Sequence, residues 1–318
     1  MSMNKRVYGV LGVSSIMSNW NADFSGYPKT TSDGTVFGSD KAFKYPIKKM
    51  WQNMGEKVVY IKSMRLEEGK KGEVSLIPKS LKEQYENIFK VEDLKKQNNT
   101  KEVLQNLFQA IDVKNFGATF AEAGNNISIT GAVQIGQGMN KYEDTDVQEQ
   151  PILSPFRDGT KATEEKGEAK NSTLGTKIVS DEVHYFYPFV INPLAYKEFI
   201  ELGVTEGYTE EDYKKFKEAS ICATTSYATN SKIGCENEFG LFIETDIDMY
   251  LPNLSSYIEF KKGNDGEKNK IIIICDELIN SMKEKIKSIE VYYNPYTTEI
   301  DTKIEGVHFY NIITQKEV

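Results

Sequence analysis

Apolar residues recur at two different spacings along the chain, and the mixture predicts an α+β fold. Strands are predicted where β-branched and aromatic residues cluster, at 7–16, 56–66, 184–191, 238–247, 271–275 and 289–293. Helices are predicted where apolar residues at helical spacing follow a capping residue, at Ser39, Ser80, Thr100 and Thr209 (reaching about Tyr227), and a further helix is predicted over 276–286, after the strand at 271–275. Because these elements interleave without the regular period of a doubly wound sheet, we expect a ferredoxin-like sheet with large insertions.

Two stretches are expected to be inserted into that sheet. Residues 67–110 hold the capping-box pair Ser80 and Glu83 and a second short helix, which together predict a helical insertion. Residues 141–173 are polar and charged with few apolar anchors, a composition that predicts a mobile excursion from the core. Between these stretches, the runs at 113–120 and 125–138 are interpreted as a pair of short strands.

Composition limits the classes of function that the chain can serve. With 318 residues and 39% apolar residues, the chain can bury a substantial core, which excludes fibrous and wholly disordered proteins. The 39 basic and 47 acidic residues give a net charge of −8, so any nucleic-acid site must be a local patch. Neither a signal peptide nor a run of about 20 apolar residues is seen, so we expect a cytoplasmic protein without membrane contact.

Candidate chemistry for catalysis is sparse. The two histidines stand apart from nucleophile motifs, and the three cysteines lack zinc-ligand spacing, so neither a cofactor nor a metal site is expected. The glycine pairs at 9 and 12 and at 136 and 138 lack a complete phosphate-binding motif, which favours close packing of the backbone. Asp23 and Asp33 could serve metal-assisted cleavage, although a loop aspartate is more often a turn residue.

A basic patch is the stronger signal. Lys41, Lys44 and Lys48 follow Ser39 at spacings that place them on one helix face. The loop before this helix groups amides, flat rings and cations: Asn19, Trp20, Asn21, Tyr27, Lys29 and Thr30. Such groups hold single-stranded nucleic acid by phosphate contact and base stacking. Two alternatives stay open, because the helix face could simply be solvated and Trp20 could belong to the core.

The balance between lysine and arginine indicates which part of a nucleic acid would be held. The chain has 36 lysines and three arginines. Lysine fixes a phosphate as a point charge, whereas bidentate reading of guanine requires arginine. We therefore expect contacts to the backbone rather than to base edges.

Six sequence blocks resemble the Cas seven family of backbone subunits in type I CRISPR surveillance complexes (Cascade), and the type I-B branch in particular. They keep their order along the chain, at 18–30, 34–51, 112–117, 131–138, 172–179 and 229–237, and the resemblance extends from Val7 to about Glu244. The resemblance implies an RRM-like palm with inserted fingers at 67–110 and a thumb at 141–180 within one domain of residues 1–318. It also implies a non-catalytic protein whose copies stack head to tail along a CRISPR guide RNA and present the guide to target DNA.

The resemblance further implies which residues contact the guide and which proteins are partners. The expected contacts are Asn19, Trp20, Asn21, Lys29, Thr30, Lys41, Lys44, Lys48, Gln134, Thr173, Leu174, Lys177, Asn230, Ser231 and Lys232. The expected partners are further copies of the chain, a Cas five-like subunit and a large subunit.

Two other functions remain open on the sequence alone. A type III-like relative would cut target RNA with a metal ion and Asp23 or Asp33. A standalone adaptor would use the many surface aromatic residues for protein contacts; the 18 tyrosines and 16 phenylalanines are compatible with this but fill cores equally well.

Overall fold

The computed structural model describes residues 2–69, 72–97, 99–153 and 173–318. Its strands are β1 Arg6–Ser18, β2 Phe37–Gly38, β3 Met64–Glu68, β4 Val74–Pro78, β5 Gly117–Phe120, β6 Ile127–Thr130, β7 Val133–Ile135, β8 Gly138–Asn140, β9 Val147–Leu153, β10 Thr173–Ile191, β11 Cys235–Thr245, β12 Ile258–Lys261, β13 Asn269–Ile273, β14 Ile286–Tyr293, β15 Thr298–Thr302 and β16 Val307–Asn311. Its α-helices are α1 Asp40–Asn53, α2 Leu81–Phe89, α3 Thr100–Leu107, α4 Ile111–Phe116, α5 Lys197–Glu201, α6 Glu210–Ser220, α7 Ala223–Ser226 and α8 Asp276–Ser281.

The main sheet has the connectivity of a ferredoxin-like fold. Its strands run in the order β2–β8–β10–β1–β11–β14–β16, and β7 and β9 also pair with β10. The chain passes from β1 through α1 to β7 and β8, back along β10, and through α6 to β11, with β10 and β11 both antiparallel to β1. This is the β-α-β-β-α-β unit predicted from the sequence, so the fold-class prediction is confirmed.

Both faces of the main sheet are covered by other parts of the protein. Side chains alternate between the two sides of a strand, so each strand contributes to both faces. Val7 and Leu11 of β1 point into a core formed with helices α1 and α6, whereas Tyr8 and Val10 point into a second core on the opposite face. The second core contains residues of the three-stranded sheet β12–β13–β15 and of α8. The sheet face opposite α1 and α6 is therefore filled by the protein itself.

A buried histidine joins β10 to the C-terminal sheet. His184 lies 2.7 Å from Glu238 and 3.0 Å from Glu182, and its ring stacks on Phe260 of β12 at 3.7 Å. Burial alone would lower the pKa of His184, but the two carboxylates outweigh it and raise the pKa. The histidine thus has a structural position.

Two glycines mark close approaches between strands. A Cβ atom on Gly9 would lie 2.0 Å from the carbonyl oxygen of Leu241, and one on Gly138 would lie 2.4 Å from the ring of Tyr187. Neither position has room for a side chain. The packing interpretation of the glycine pairs is confirmed.

Several predicted boundaries were wrong, and tertiary contacts explain why. The strand predicted at 56–66 begins only at Met64, because the buried carboxylate of Asp112 accepts hydrogen bonds from the backbone of Val59 and Tyr60 and holds that segment irregular. The predicted strand at 113–120 begins with the helix α4 and becomes a strand only at Gly117. The helix predicted from Thr209 to about Tyr227 is divided into α6 and α7.

The two predicted insertions contain regular structure in their described parts. Residues 67–110 contribute α2 and α3, whose buried side chains Tyr85, Val103 and Leu107 join the core on the α1 side. Within 141–180, β9 pairs with the first half of β10 as an extended hairpin, and every residue of β9 is exposed. Residues 154–172 of the predicted excursion lie outside the described ranges. Among the helices of the described ranges, none is both long and apolar enough to cross a membrane.

Candidate nucleic-acid interface

Three of the sequence blocks that predicted a binding site meet at one end of the main sheet. The backbone N–H of Asn19 donates to the carbonyl of Ser231 at 3.0 Å. The side-chain amide of Asn19 donates to the carbonyls of Gly26 at 2.9 Å and Ile178 at 3.1 Å. These hydrogen bonds hold the loop between β1 and β2, residues 19–36 (the first loop), both to the 229–232 loop and to β10. Asn19 itself is buried, so it supports the surface rather than forming it.

Trp20 belongs to the core. It is 2% exposed, and its indole N–H donates to the hydroxyl of Tyr187 at 2.5 Å. Tyr187 in turn packs against the backbone of Gly38 and Gly138. The indole ring therefore has no face open for stacking on a base, and the core alternative holds for this residue.

Lys232 also acts inside the protein. Its ammonium group donates to the backbone carbonyls of Asn19 and Trp20, each at 2.5 Å, and lies 5.6 Å from the centre of the Trp20 ring. Burial lowers the pKa of Lys232. This lysine fastens the first loop to the 229–232 loop, whereas Asn230 and Ser231 beside it are exposed.

The start of helix α1 is fixed by the same loop. The side-chain oxygen of Asn21 accepts from the backbone N–H of Ser39 at 2.7 Å, and Ser39 caps the helix by accepting from Ala42 N–H at 3.3 Å. This chain of hydrogen bonds sets the direction in which the helix presents Lys41, which is exposed.

The other two lysines of the predicted basic face are drawn inward. Lys44 lies 2.8 Å from Asp40 and 5.3 Å from the ring centre of Phe116. Lys48 donates to the carbonyl of Tyr60 at 3.3 Å, and burial lowers its pKa. Lys44 and Lys48 are therefore less exposed than Lys41, because the side of the helix that they share packs against α4 and the 56–63 segment. Their assignment as guide contacts stays a prediction.

A cavity of about 400 Å³ opens where the first loop, α1 and the 227–232 segment meet. Its lining combines cations, aromatic rings and small apolar groups: Trp20, Asn21, Ala22, Lys29, Ser39, Lys41, Ala42, Tyr45, Pro46, Tyr227 and Lys232. We call this cavity the loop pocket. It contains five of the fifteen predicted contact residues, Trp20, Asn21, Lys29, Lys41 and Lys232.

Sequence reasoning missed the two tyrosines of the loop pocket. The rings of Tyr45 and Tyr227 have centroids 5.5 Å apart and meet edge to face at 67°. Tyr45 follows Lys41 by four residues and therefore shares its helix face, a signal that the sequence contains. Tyr227 precedes the 229–232 block by two residues, but its pairing with Tyr45 depends on the tertiary fold.

The remaining predicted contacts lie away from the pocket lining. Gln134 is exposed on β7 opposite Val190, whereas Lys177 is half-buried on β10 opposite Gln150. Thirteen residues of β10 separate the two pairing positions, a distance of roughly 40 Å along an extended strand. Thr30 is exposed in the first loop. The backbone of Thr173 and Leu174 begins β10, and their side chains lie outside the described part.

The two candidate catalytic acids stabilise their own turns. One carboxylate oxygen of Asp23 accepts from the backbone N–H of Ser25 at 2.8 Å and of Tyr27 at 3.0 Å. Asp33 accepts from the hydroxyl of Thr31 and, at 3.1 Å, from the N–H of Thr35; the hydroxyl contact lowers the pKa of Asp33. Both side chains have the geometry of turn residues.

A model of the family described as CRISPR-associated protein Cas7 matches residues 5–278, which is most of the chain. The chain belongs to the Cas7 family. The match includes every residue that lines the loop pocket of this Cas7 chain. The assignment to the type I-B branch remains a prediction.

A solved structure shares the fold of this chain. A chain of a CRISPR RNA-guided surveillance complex in a pre-nicking state superposes with a TM-score of 0.55 and 12% identity, covering 97% of both chains. A second surveillance-complex chain gives a TM-score of 0.46 and 13% identity, covering 91% of both chains. No protein with a curated description shows significant similarity to the sequence.

Proposed function

We propose that this Cas7 protein is a non-catalytic backbone subunit that binds guide RNA in a CRISPR surveillance complex. Copies would stack head to tail along the guide and present it for pairing with target DNA. The family membership supports this role, as does the shared fold with a chain of an RNA-guided surveillance complex. Association with Cas five-like and large subunits, and a cytoplasmic location, belong to the same proposal.

One observation carries the proposal more than any other: the loop pocket presents Lys29 and Lys41 beside two tyrosine rings, in a chain of net charge −8. Buried contacts of Asn19, Trp20 and Lys232 fix the segments that surround the pocket. A rigid, locally cationic surface with aromatic rings suits a single strand.

The chemistry of these groups suits a guide of any sequence. Lysine contacts phosphate without reading a base, and every base has a ring face. In guide-directed recognition, Watson–Crick pairing supplies the specificity and the protein holds the backbone. The sheet face that opposes α1 and α6 is filled by the C-terminal sheet, so that face of the main sheet is not open to RNA.

The β9–β10 hairpin extends this proposal to neighbouring copies. It projects from the end of the main sheet near Asn19, whose amide contacts Ile178 of β10. We assign this hairpin, within 141–180, to the thumb, with Thr173, Leu174 and Lys177 toward its contact end. The helices within 67–110 are assigned to the fingers. The turn geometry of Asp23 and Asp33 supports the non-catalytic part of the proposal.

Binding of short single-stranded RNA by the purified chain tests this function. We expect similar affinities for unrelated sequences, because the contacts are to the backbone. If about four phosphates are engaged, the logarithm of the association constant should fall with the logarithm of salt concentration with a slope of about −3. Failure to bind RNA at low ionic strength, or a strong preference for one sequence, would contradict the proposal.

A further inference from the structure

We infer that the loop pocket is a nucleobase subsite, in which Tyr45 and Tyr227 hold one base of the bound strand. The inference rests on the proposed function and adds to it a contact of a different kind: a ring face for a base, beside lysines for phosphates.

The lining of the pocket fits a flat aromatic group. Ala42 and Pro46 of α1 form part of its apolar surface, and the rings of Tyr45 and Tyr227 stand beside them. A volume of about 400 Å³ falls in the range of small-molecule sites, which are mostly apolar with a few oriented polar groups. A nucleobase is a ligand of this kind.

The two tyrosine rings leave a ring face uncovered. They meet edge to face at 67°, so neither ring stacks flat upon the other. Tyr45 is 39% exposed although it lies on a helix whose other aromatic residues, Phe43 and Trp51, are buried. An exposed ring on a rigid helix provides a stacking surface that needs little ordering when a base binds.

The pocket has cations at its edge for the phosphate of a nucleotide and neutral rings for its base. Lys232 directs its ammonium group to the carbonyls of Asn19 and Trp20, so Lys29 and Lys41 are the cations that the pocket presents to a phosphate. A tyrosine phenol is neutral at physiological pH, and burial, together with the neighbouring Tyr45, raises the pKa of Tyr227 further, so its ring places no negative charge beside a phosphate. A base can therefore stack while its flanking phosphate lies at the cationic rim.

Fluorescence of 2-aminopurine tests the inference in the full-length chain. The probe is a short single-stranded RNA that carries 2-aminopurine at alternate positions, so that a labelled base can enter the pocket in more than one binding register. Stacking of the base on a tyrosine should quench its emission on binding. Tyr45→Ala with Tyr227→Ala should remove the quenching and lower RNA affinity about tenfold, the magnitude of one lost base stack.

Two control variants separate stacking from folding. Tyr45→Phe retains the ring and should quench as the wild-type protein does. Tyr296→Ala removes a tyrosine that is 74% exposed elsewhere, and it should change neither quenching nor affinity. Titration of wild-type protein with the same RNA gives a readout that does not depend on the folding of any variant.

The outcomes distinguish this inference from the function on which it rests. Absence of RNA binding by the wild-type protein would overturn both. Binding without quenching, with unchanged affinity in the Tyr45 and Tyr227 double variant, would overturn the subsite and leave backbone binding intact. If the double variant quenched the probe as the wild-type protein does but failed to associate with other copies, the pocket would bind peptide instead. That result would also overturn the inference.

Discussion

Charge reversal at Lys29 and Lys41 should lower the affinity for single-stranded RNA about 100-fold. Each lysine that contacts a phosphate contributes a hydrogen bond between charged groups, worth at least about 1.5 kcal/mol, and the loss of two is about 3 kcal/mol. Lys29→Glu with Lys41→Glu is preferable to a variant of Lys44, because Lys44 pairs with Asp40 inside the protein. Filter binding at several salt concentrations should also show a slope smaller in magnitude by about 1.4.

A matched pair of lysines controls for the change in net charge. Lys101 of α3 and Lys197 of α5 are exposed, and each lies in the first turn of a helix, as Lys41 does. An acidic residue near a helix N-terminus is compatible with the helix dipole, so neither double variant should unfold the protein. Equal loss of binding in the Lys101→Glu with Lys197→Glu variant would mean that overall charge, rather than the loop pocket, governs RNA binding.

Removal of the Trp20 side chain should destabilise the fold strongly. Trp20→Ala creates a cavity in the core and leaves the Tyr187 hydroxyl without its donor. Substitutions of buried aromatic residues by alanine cost about 3–5 kcal/mol in the free energy of unfolding. Urea denaturation should therefore show a lower midpoint with an unchanged dependence on denaturant.

The conservative variant separates a core role from a role in stacking. Trp20→Phe keeps a ring in the core but removes the indole donor, so it should cost less stability than Trp20→Ala and leave RNA affinity unchanged. If instead Trp20→Ala unfolded at the same urea concentration as the wild-type protein yet bound RNA weakly, the indole would be a surface contact and its placement in the core would be wrong.

Local signals in the sequence predicted the capping residues of three helices, whereas the cap of α3 is Asn99 rather than the predicted Thr100. Ser39 and Thr209 cap α1 and α6, and Ser80 with Glu83 forms the capping box of α2, because these interactions lie within a few residues of chain. The strand β1 was predicted for the same reason, since its β-branched residues are contiguous. The ferredoxin-like class followed from the order of such elements.

Tertiary contacts decided what the sequence could not. The spacing of Lys41, Lys44 and Lys48 predicts a shared face, but only the fold shows that Phe116 and Tyr60 cover most of it. Likewise, Asn115 is held in the helix α4 rather than in a strand. Its side-chain amide donates to the carbonyl of Ile111, and its side-chain oxygen accepts from the hydroxyl of Tyr208. Local secondary-structure propensity cannot predict such contacts, because the partners are distant in the sequence.

The sequence predicted only part of the candidate site, because tertiary contacts decide which side chains reach its surface. The sequence blocks that form the site were predicted, and Asn19, Trp20 and Lys232 do bring those blocks together. The side chains of these three residues, however, form hydrogen bonds that connect segments of the protein. The surface that remains for RNA belongs to their neighbours, including Tyr45 and Tyr227, which meet only after folding.

Photo-crosslinking of 4-thiouridine RNA to the full-length protein, followed by mass spectrometry of the peptides, tests most directly whether this surface holds the strand. We predict adducts in the two peptides that contain Tyr45 and Tyr227, with both lost when excess unlabelled RNA competes. Crosslinks that form only at distant sites, such as the C-terminal sheet β12–β13–β15, would contradict the assignment of the loop pocket as the RNA-binding surface.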